Sequence, residues 1–390
     1  MKLLFISTMN GYSWGGSEEL WFETALFAKS QGKDVEAVVF KNDPIHPKFS
    51  RLEKMGIRVH FVEKEKVVMP NLIKRGTLKV LNRPVNIKYE NRFSFISSLN
   101  PDEIILSQGG CTDITYYNDL KDFFKIWDRP FVVVNHYNKE NGKLQPEQRE
   151  YLKLLFNRSK ATFFVGERNR SVLERQLAQK IDRSQIIRNP VPLDINKVPR
   201  LESAKPSFAV VGRLDVSDKG QDILLECISA SKWKARDFII NLYGEGKDEL
   251  FLKDLIHFYG LEKRVFIKGH VNNKTEIWGN NDMLLLPSIS EGFPITIVEA
   301  MLCGRPCLVT DVGDSGYLIE DNVNGWVAQC SSVNSLDEAL ERAWRQKEIW
   351  NQMGERACEK AKELNADNAA KVFYEKIIKA AGLIKVTNVI

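Results

Sequence analysis

Short apolar runs separated by mixed stretches recur along this chain. Lys2–Ser7, Val35–Phe40, Ile57–Val62, Ile104–Ser107, Phe131–Asn135 and Ala161–Val165 are too short for helices and nearly continuous in Val, Ile, Leu and Phe. A strand with one wet face alternates polar and apolar residues, whereas a strand covered on both faces reads as an unbroken apolar run. These runs predict strands of a parallel sheet, with the stretches between them supplying the covering helices. One such helix is expected from about Ser17 to Lys29: Ser17 suits the N-cap, Glu18 and Glu19 suit the positive end, and Gly32 stops it. After Pro190 and Pro192 a polar segment, Asp194–Pro206, interrupts the pattern. It restarts with Ser207–Val211, Phe238–Tyr243, Val265–Lys268, Met283–Leu286 and Cys307–Thr310, and from Ser335 almost to Ala381 the chain reads as helical. The expected fold class is α/β, two doubly wound halves with ligands at the carboxyl ends of the strands.

Composition narrows the class without naming a chemistry. A length of 390 residues accommodates about two domains, and 43% hydrophobic with 27% charged residues is ordinary for a soluble globular protein. No apolar run approaches a membrane span. The opening MKLLFISTMN meets charge and turn residues too soon for a secretory signal and reads as a first strand. The six cysteines form no Cys-x-x-Cys pair, so neither a disulfide framework nor a zinc site is implied, and a reducing cytoplasm is the expected location. A net charge of +5 permits anionic ligands without requiring nucleic acid.

The densest chemical signal is Ser290–Gly304, SEGFPITIVEAMLCG. Gly292 lets a backbone approach a ligand closely, and Pro294 suits a first helical turn, where its missing N–H is no loss. The helix expected from Ile295 to Cys303 offers free N–H groups near Ile295, Thr296 and Ile297 and a positive dipole end, which together make an anion site. Glu291 before it and Glu299 one turn inside are poor phosphate ligands but good acceptors for the hydroxyls of a sugar ring or a ribose diol. The stretch reads as a nucleotide-sugar pocket.

The spacing of Glu291 and Glu299 about Gly292-Phe293-Pro294 resembles the Glu-x7-Glu signature of retaining glycosyltransferases of family 4. Two Rossmann-like domains facing a cleft resemble the GT-B architecture over most of the chain. That resemblance implies an acceptor domain over residues 1–189, a nucleotide-sugar donor domain over 190–366, and a last helix, about Asp367–Ala381 within 367–390, crossing back. It also implies a UDP- or GDP-sugar donor, an acceptor hydroxyl on a glycan, lipid-linked glycan or small molecule, and neither metal nor cofactor. Glu299 is then assigned to the ribose, and Glu291 with the backbone of Gly292 and Phe293 to the donor sugar.

Further constellations fit that frame. Gly212-Arg213-Leu214 followed by Lys219-Gly220 resembles the family's Gly-Arg-Leu and Lys-Gly pattern, with Arg213 as a fork and Lys219 as a point charge on a departing diphosphate. Two solvated basic residues at loop ends is the plainer reading. Gly15-Gly16 is by itself only a turn signal; in the family such a loop lies over the donor phosphates. No G-x-G-x-x-G occurs in it, which argues against a dinucleotide cofactor and a redox enzyme. Gly244-Glu245-Gly246 is an equally plain glycine loop, placed by resemblance in the donor wall. His136 ends a strand and is by itself only a polar residue at a strand end. The family often carries a His here, near the donor sugar, which implies a catalytic site role, although Tyr137 follows it instead of the usual Asp. His270 and Val271, after Gly269, stand where the family meets the nucleotide base through backbone groups. Asp311-Val312-Gly313-Asp314 departs from the two glycines common among relatives. His46, His60 and His257 lack partners at ligand spacing and read as structural or exposed. The basic run Lys74–Arg92 is a solvated face, a peripheral contact with an anionic membrane, or a site for a phosphate-bearing acceptor. Rival functions on the same frame are a sugar-nucleotide epimerase or hydrolase and a non-catalytic nucleotide-sugar-binding subunit.

Overall fold

The computed structural model describes residues 1–11, 14–63, 91–191, 198–199, 201, 205–365 and 367–382. Seven strands make the first sheet: β1 (Lys2–Ser7), β2 (Asp34–Phe40), β3 (Arg58–Val62), β4 (Glu103–Gly110), β5 (Phe131–Tyr137), β6 (Ala161–Phe164) and β7 (Ser184–Ile186). Six make the second: β8 (Ser207–Val211), β9 (Ile239–Tyr243), β10 (Val265–Gly269), β11 (Met283–Leu286), β12 (Cys307–Thr310) and β13 (Gly325–Ala328). The spatial orders are 3-2-1-4-5-6-7 and 10-9-8-11-12-13, and every pairing is parallel. Each sheet is covered on both faces, which is why its central strands are apolar throughout. This is a two-sheet Rossmann-like, GT-B arrangement.

Two strands lie outside the expected runs. β7 is a three-residue edge strand, Ser-Gln-Ile, only half-buried along its length, so it needs little apolar sequence. β13 opens on Gly325, where a side chain would sit 2.2 Å from the Cys307 carbonyl oxygen; glycine is required by the approach of β12 but reads as a turn signal in sequence. The first helix also differs in detail. It spans Gly16–Ser30, its N-cap is Gly15 with no side-chain cap bond, and Ser17 lies inside it rather than capping it.

The C-terminal stretch resolves into Val333–Arg345, a 3-10 turn at Lys347–Ile349, Trp350–Leu364 and Ala369–Ala380. The last of these packs on the first sheet, not the second. Phe373, fully buried, meets Phe163 edge to face at 5.1 Å; Tyr374 meets Phe27 at 5.4 Å, and Lys376 Nζ donates to Gln185 Oε1 at 3.0 Å. Of the polar segment expected to join the halves, residues 192–197, 200 and 202–204 fall outside the described residues.

The halves meet along backbone as well as side chains. A side chain on Gly292 would lie 2.0 Å from the carbonyl oxygen of His136, so the loop after β11 touches the end of β5 directly. The Asp314 amide donates to Gly292 O at 3.1 Å, while its carboxylate takes Arg188 Nη1 at 2.5 Å. The Arg188 guanidinium lies 4.4 Å from the Tyr317 ring and 5.2 Å from that of Phe293, and Arg168 pairs with Asp311 at 3.1 Å. Desolvation raises the pKa of Asp314, and Arg188 pulls it back down.

Two consequences are measurable by chemical denaturation. Phe373→Ala empties a site closed on all sides and should lower unfolding stability by about 3–5 kcal/mol. Gly292→Ala leaves no room at the seam; about 1–3 kcal/mol of destabilisation is expected from overpacking. A Gly292→Ala protein as stable as the parent would show that the seam opens freely.

Candidate functional site

In both sheets the strand order reverses between neighbours that are not consecutive, β1 beside β4 and β8 beside β11. Loops leaving such neighbours diverge to opposite faces and open a crevice at the carboxyl ends. Here the two crevices face each other across one cleft of about 540 Å³. Its walls include Gly15, Gly16 and Asp113 from the loops after β1 and β4, and Arg213, Lys219 and Glu291 from those after β8 and β11.

Lys219 ends a one-turn helix, Val216–Lys219, stopped by Gly220 at φ +60°, where a side chain would meet the Pro287 carbonyl oxygen at 2.3 Å. That contact seats the Lys219 loop against the loop after β11. Lys219 Nζ reaches Glu291 Oε1 at 2.6 Å, and the Ser288 hydroxyl donates to the same oxygen at 2.7 Å. The sequence reading gave these two residues separate ligands; the folded chain joins them. Arg213 is 45% exposed, its guanidinium 3.9 Å from Asp218. Asp218 also accepts from Tyr137 Oη at 3.2 Å and pairs with Lys139 at 3.4 Å, so it bridges the halves at the cleft floor. Nothing in the sequence marks it, because a lone Asp beside basic loop residues reads as solvated.

Gly292, Phe293, Pro294, Ile295 and Thr296 all line the cleft. The helix spans Ile295–Leu302, with Pro294 immediately before it. The Ile297 amide, expected among the free donors, instead bonds the Pro294 carbonyl at 3.0 Å, which tightens the first turn. Ile295 and Thr296 line the cleft at the start of this helix. Gly16 approaches the same turn: a side chain there would lie 3.2 Å from Ile295 Cδ1.

His136 lines the cleft but is 4% exposed. Its Nδ1–H donates to Asn189 Oδ1 at 3.1 Å, and its Nε2 accepts from the Ser107 hydroxyl at 3.2 Å. Burial pushes its pKa down to about 4, with the Asn189 bond opposing, so the ring is neutral at pH 7.

Four expected residues do not form the cleft lining. Glu299 is buried behind the first helical turn and paired with Lys274 at 3.0 Å; desolvation raises its pKa and Lys274 lowers it. Gly244, at φ +138°, sits where a side chain would strike the Gly212 carbonyl oxygen at 2.0 Å, so its glycine is demanded by the packing of two loops. His270 is exposed and bonds Asn272 at 2.9 Å, while Val271 is half-buried against the second sheet. Of the basic run, 74–90 lies outside the described residues; Arg92 pairs with Asp119 at 2.7 Å.

The opposite wall carries residues that sequence spacing gave no reason to single out: Thr8, Asn10, Trp14, Asp113 and Tyr117. Below it Glu18 is buried, accepting from Ser7 Oγ at 2.8 Å and Trp21 Nε1 at 2.9 Å, and burial raises its pKa to about 7. Among the described residues no group of three or more His, Cys, Asp or Glu side chains is arranged to hold a metal ion. No described helix is long and apolar enough to cross a membrane.

Comparison with known proteins is consistent with this geometry. Residues 194–360 match the family described as glycosyl transferases group 1. The chain is 24% identical over 385 residues to an exopolysaccharide phosphotransferase of Streptomyces coelicolor, an alignment covering 96% of this chain and 40% of that protein. It is 30% identical over 136 residues to N-acetyl-alpha-D-glucosaminyl L-malate synthase of Bacillus anthracis, covering 35% and 36%. The alignments thus span well under half of these relatives' own lengths. Among solved structures, HepE of Anabaena in complex with UDP superposes with a TM-score of 0.70 at 17% identity, over 98% of this chain and 100% of that one. Sucrose-phosphate synthase of Thermosynechococcus elongatus gives 0.74 at 15%, over 97% and 100%. Residues 194–360 are thus similar to glycosyl transferases group 1, and the chain as a whole shares the GT-B fold of those solved structures.

Proposed function

We propose that this protein is a retaining glycosyltransferase of the family 4 type, moving a sugar from a nucleoside diphosphate to an acceptor hydroxyl without a metal. The observation that carries the reading is the convergence of Arg213, Lys219 and the start of the helix Ile295–Leu302 on one cleft at the switch point of the second sheet. These positive groups line one cleft, an arrangement that suits a departing diphosphate. The complex of HepE with UDP favours a uridine nucleotide as donor.

In this reading residues 1–189 form the acceptor domain, 190–366 the donor domain, and 367–390 the returning segment. Arg213 and Lys219 hold the diphosphate, with Ile295 and Thr296 amides on its far side. Glu291, held by Lys219 and Ser288, meets donor-sugar hydroxyls together with the backbone of Gly292 and Phe293. Glu299 is assigned to the ribose, which it reaches only if the nucleotide enters beside the Lys274 pair. The anomeric carbon–oxygen bond to the diphosphate breaks while the acceptor oxygen bonds the same face of that carbon. The acceptor proton passes to the leaving phosphate oxygen. His136, neutral and with both ring nitrogens engaged, holds its neighbours in place rather than supplying charge.

The direct test is a thermal-shift panel of UDP, GDP and their sugars, because a ligand bound only by the folded state raises its stability, by about 2.7 kcal/mol at a hundredfold excess over Kd. No shift with any of them would overturn the reading. Donor consumed rapidly without acceptor would favour a hydrolase or epimerase instead. Lys219→Ala should lower kcat about 10²–10³-fold while UDP affinity changes far less, measured by steady-state transfer and calorimetry.

The buried neutral His136 gives a pH signature. Its folded pKa lies below its ordinary value of about 6.5, so the unfolded chain binds the extra proton. Its contribution is complete above pH 6.5 and is lost as pH falls toward 4. It amounts to at most about 3 kcal/mol. Equilibrium unfolding of His136→Gln should show a correspondingly shallower fall over that window.

A further inference from the structure

We propose that Asp113 receives a hydroxyl of the acceptor, and that the acceptor's part at this wall is a neutral polyhydroxyl compound rather than a carboxylate or phosphate. The inference rests on the transferase reading above. Asp113 stands at the start of a 3-10 turn, Asp113–Tyr116, where the chain leaves β4 at the switch point of the first sheet, and it lines the cleft. Its Oδ2 takes both of its protein hydrogen bonds, from Thr8 Oγ1 at 3.1 Å and from the Gly110 amide at 2.8 Å. Oδ1 takes none from the described residues. Asp113 is partly open to water, and its unpartnered oxygen has capacity for a donor arriving from the cleft.

The charges around it select that donor. Desolvation raises its pKa to about 6, opposed only by the Gly110 and Thr8 bonds; no cation contributes. The buried Glu18 lies close enough for Asp113 to push its pKa further up. Arg213 and Lys219 are the only Lys or Arg among the described lining residues, both on the other wall, and Lys219 is held by Glu291. An anionic acceptor would meet Asp113 without compensation, whereas a hydroxyl supplies the missing proton donor. Tyr117, close enough to feel the charge of Asp113, lines the same wall and adds aromatic surface to it.

A purely structural Asp113 would tie down the loop after β4 and nothing more. Asp113→Asn separates the two roles. Its amide oxygen still accepts from Thr8 and Gly110, but the atom in the place of the unpartnered Oδ1 becomes a donor. Calorimetric titrations with methyl and p-nitrophenyl hexosides and N-acetylhexosaminides, and with L-malate and glycerol 3-phosphate, would be run with saturating UDP and without nucleotide. We expect at least one neutral glycoside to bind, at least tenfold more tightly than either anion. In Asp113→Asn that affinity should fall tenfold or more, with UDP affinity within twofold of the parent. Binding of an anion as tight as that of any glycoside, no glycoside binding, or an unaffected Asp113→Asn protein would each overturn the inference. Should Asp113→Asn fail to fold, the neutral-against-anion comparison on the parent decides alone. Absence of UDP and GDP binding would instead count against the donor site, and the glycoside arms are read separately from it.

Discussion

The contact between Lys219 and Glu291 sets what the cleft can do. At 2.6 Å, with side chains 17% and 9% exposed, it is an ion pair largely removed from water. Two such charges survive together because each offsets the other's desolvation; removing one strands its partner, typically at about 3–5 kcal/mol. The pair therefore fastens the loop after β8 to the loop after β11 and keeps a cation at the mouth of the second crevice. Ser288 adds a second donor to the same carboxylate oxygen.

That loop pair is held against the first sheet by contacts that admit little play. The Gly292 backbone lies on the His136 carbonyl, Gly313 at φ +53° presses on the Glu291 and Gly292 carbonyls, and Asp314 ties back to Arg188. Each contact is short because a side chain is missing or two opposite charges meet. A cleft built this way has its width fixed by backbone atoms, whose positions do not depend on rotamers. The Arg188–Asp314 pair and the Tyr317 ring on Arg188 add charge and area to the seam, and the Phe293 ring on Arg188 joins that seam to the cleft wall.

Most of the architecture was legible in the sequence because parallel strands buried on both faces leave unbroken apolar runs. The exceptions follow from the same physics: β7 is a polar edge strand, and β13 starts with a glycine that backbone proximity demands. The second half of the site was legible because Arg213, Lys219, Gly292 and Glu291 sit in two compact stretches with characteristic neighbours. The first half was not. Thr8, Asn10, Asp113 and Tyr117 are separated by a hundred or so residues of chain, and only the pairing of β1 with β4 brings them together. Asp314 was visible as a departure from a glycine pair, but its partner Arg188 lies 126 residues earlier and is found only by folding. One glycine has a packing reason that the sequence does not show. Gly244 looked like ligand-facing backbone, and its missing side chain is explained by the Gly212 carbonyl.

The walls of the cleft are electrically unlike. One presents Arg213, Lys219 and a helix start; the other presents Asp113 above a buried Glu18, with no described Lys or Arg lining it. In a partly desolvated gap such an arrangement acts over more than contact distance, because the low dielectric does little to weaken it. A molecule with a diphosphate at one end and a neutral sugar at the other is therefore oriented before any specific hydrogen bond forms. In the reaction proposed above, the acceptor hydroxyl would approach from the acidic wall toward a phosphate oxygen gaining negative charge. The proton lost in the proposed reaction would move against the field of the two walls, so only the negative charge growing on the leaving phosphate oxygen can draw it across.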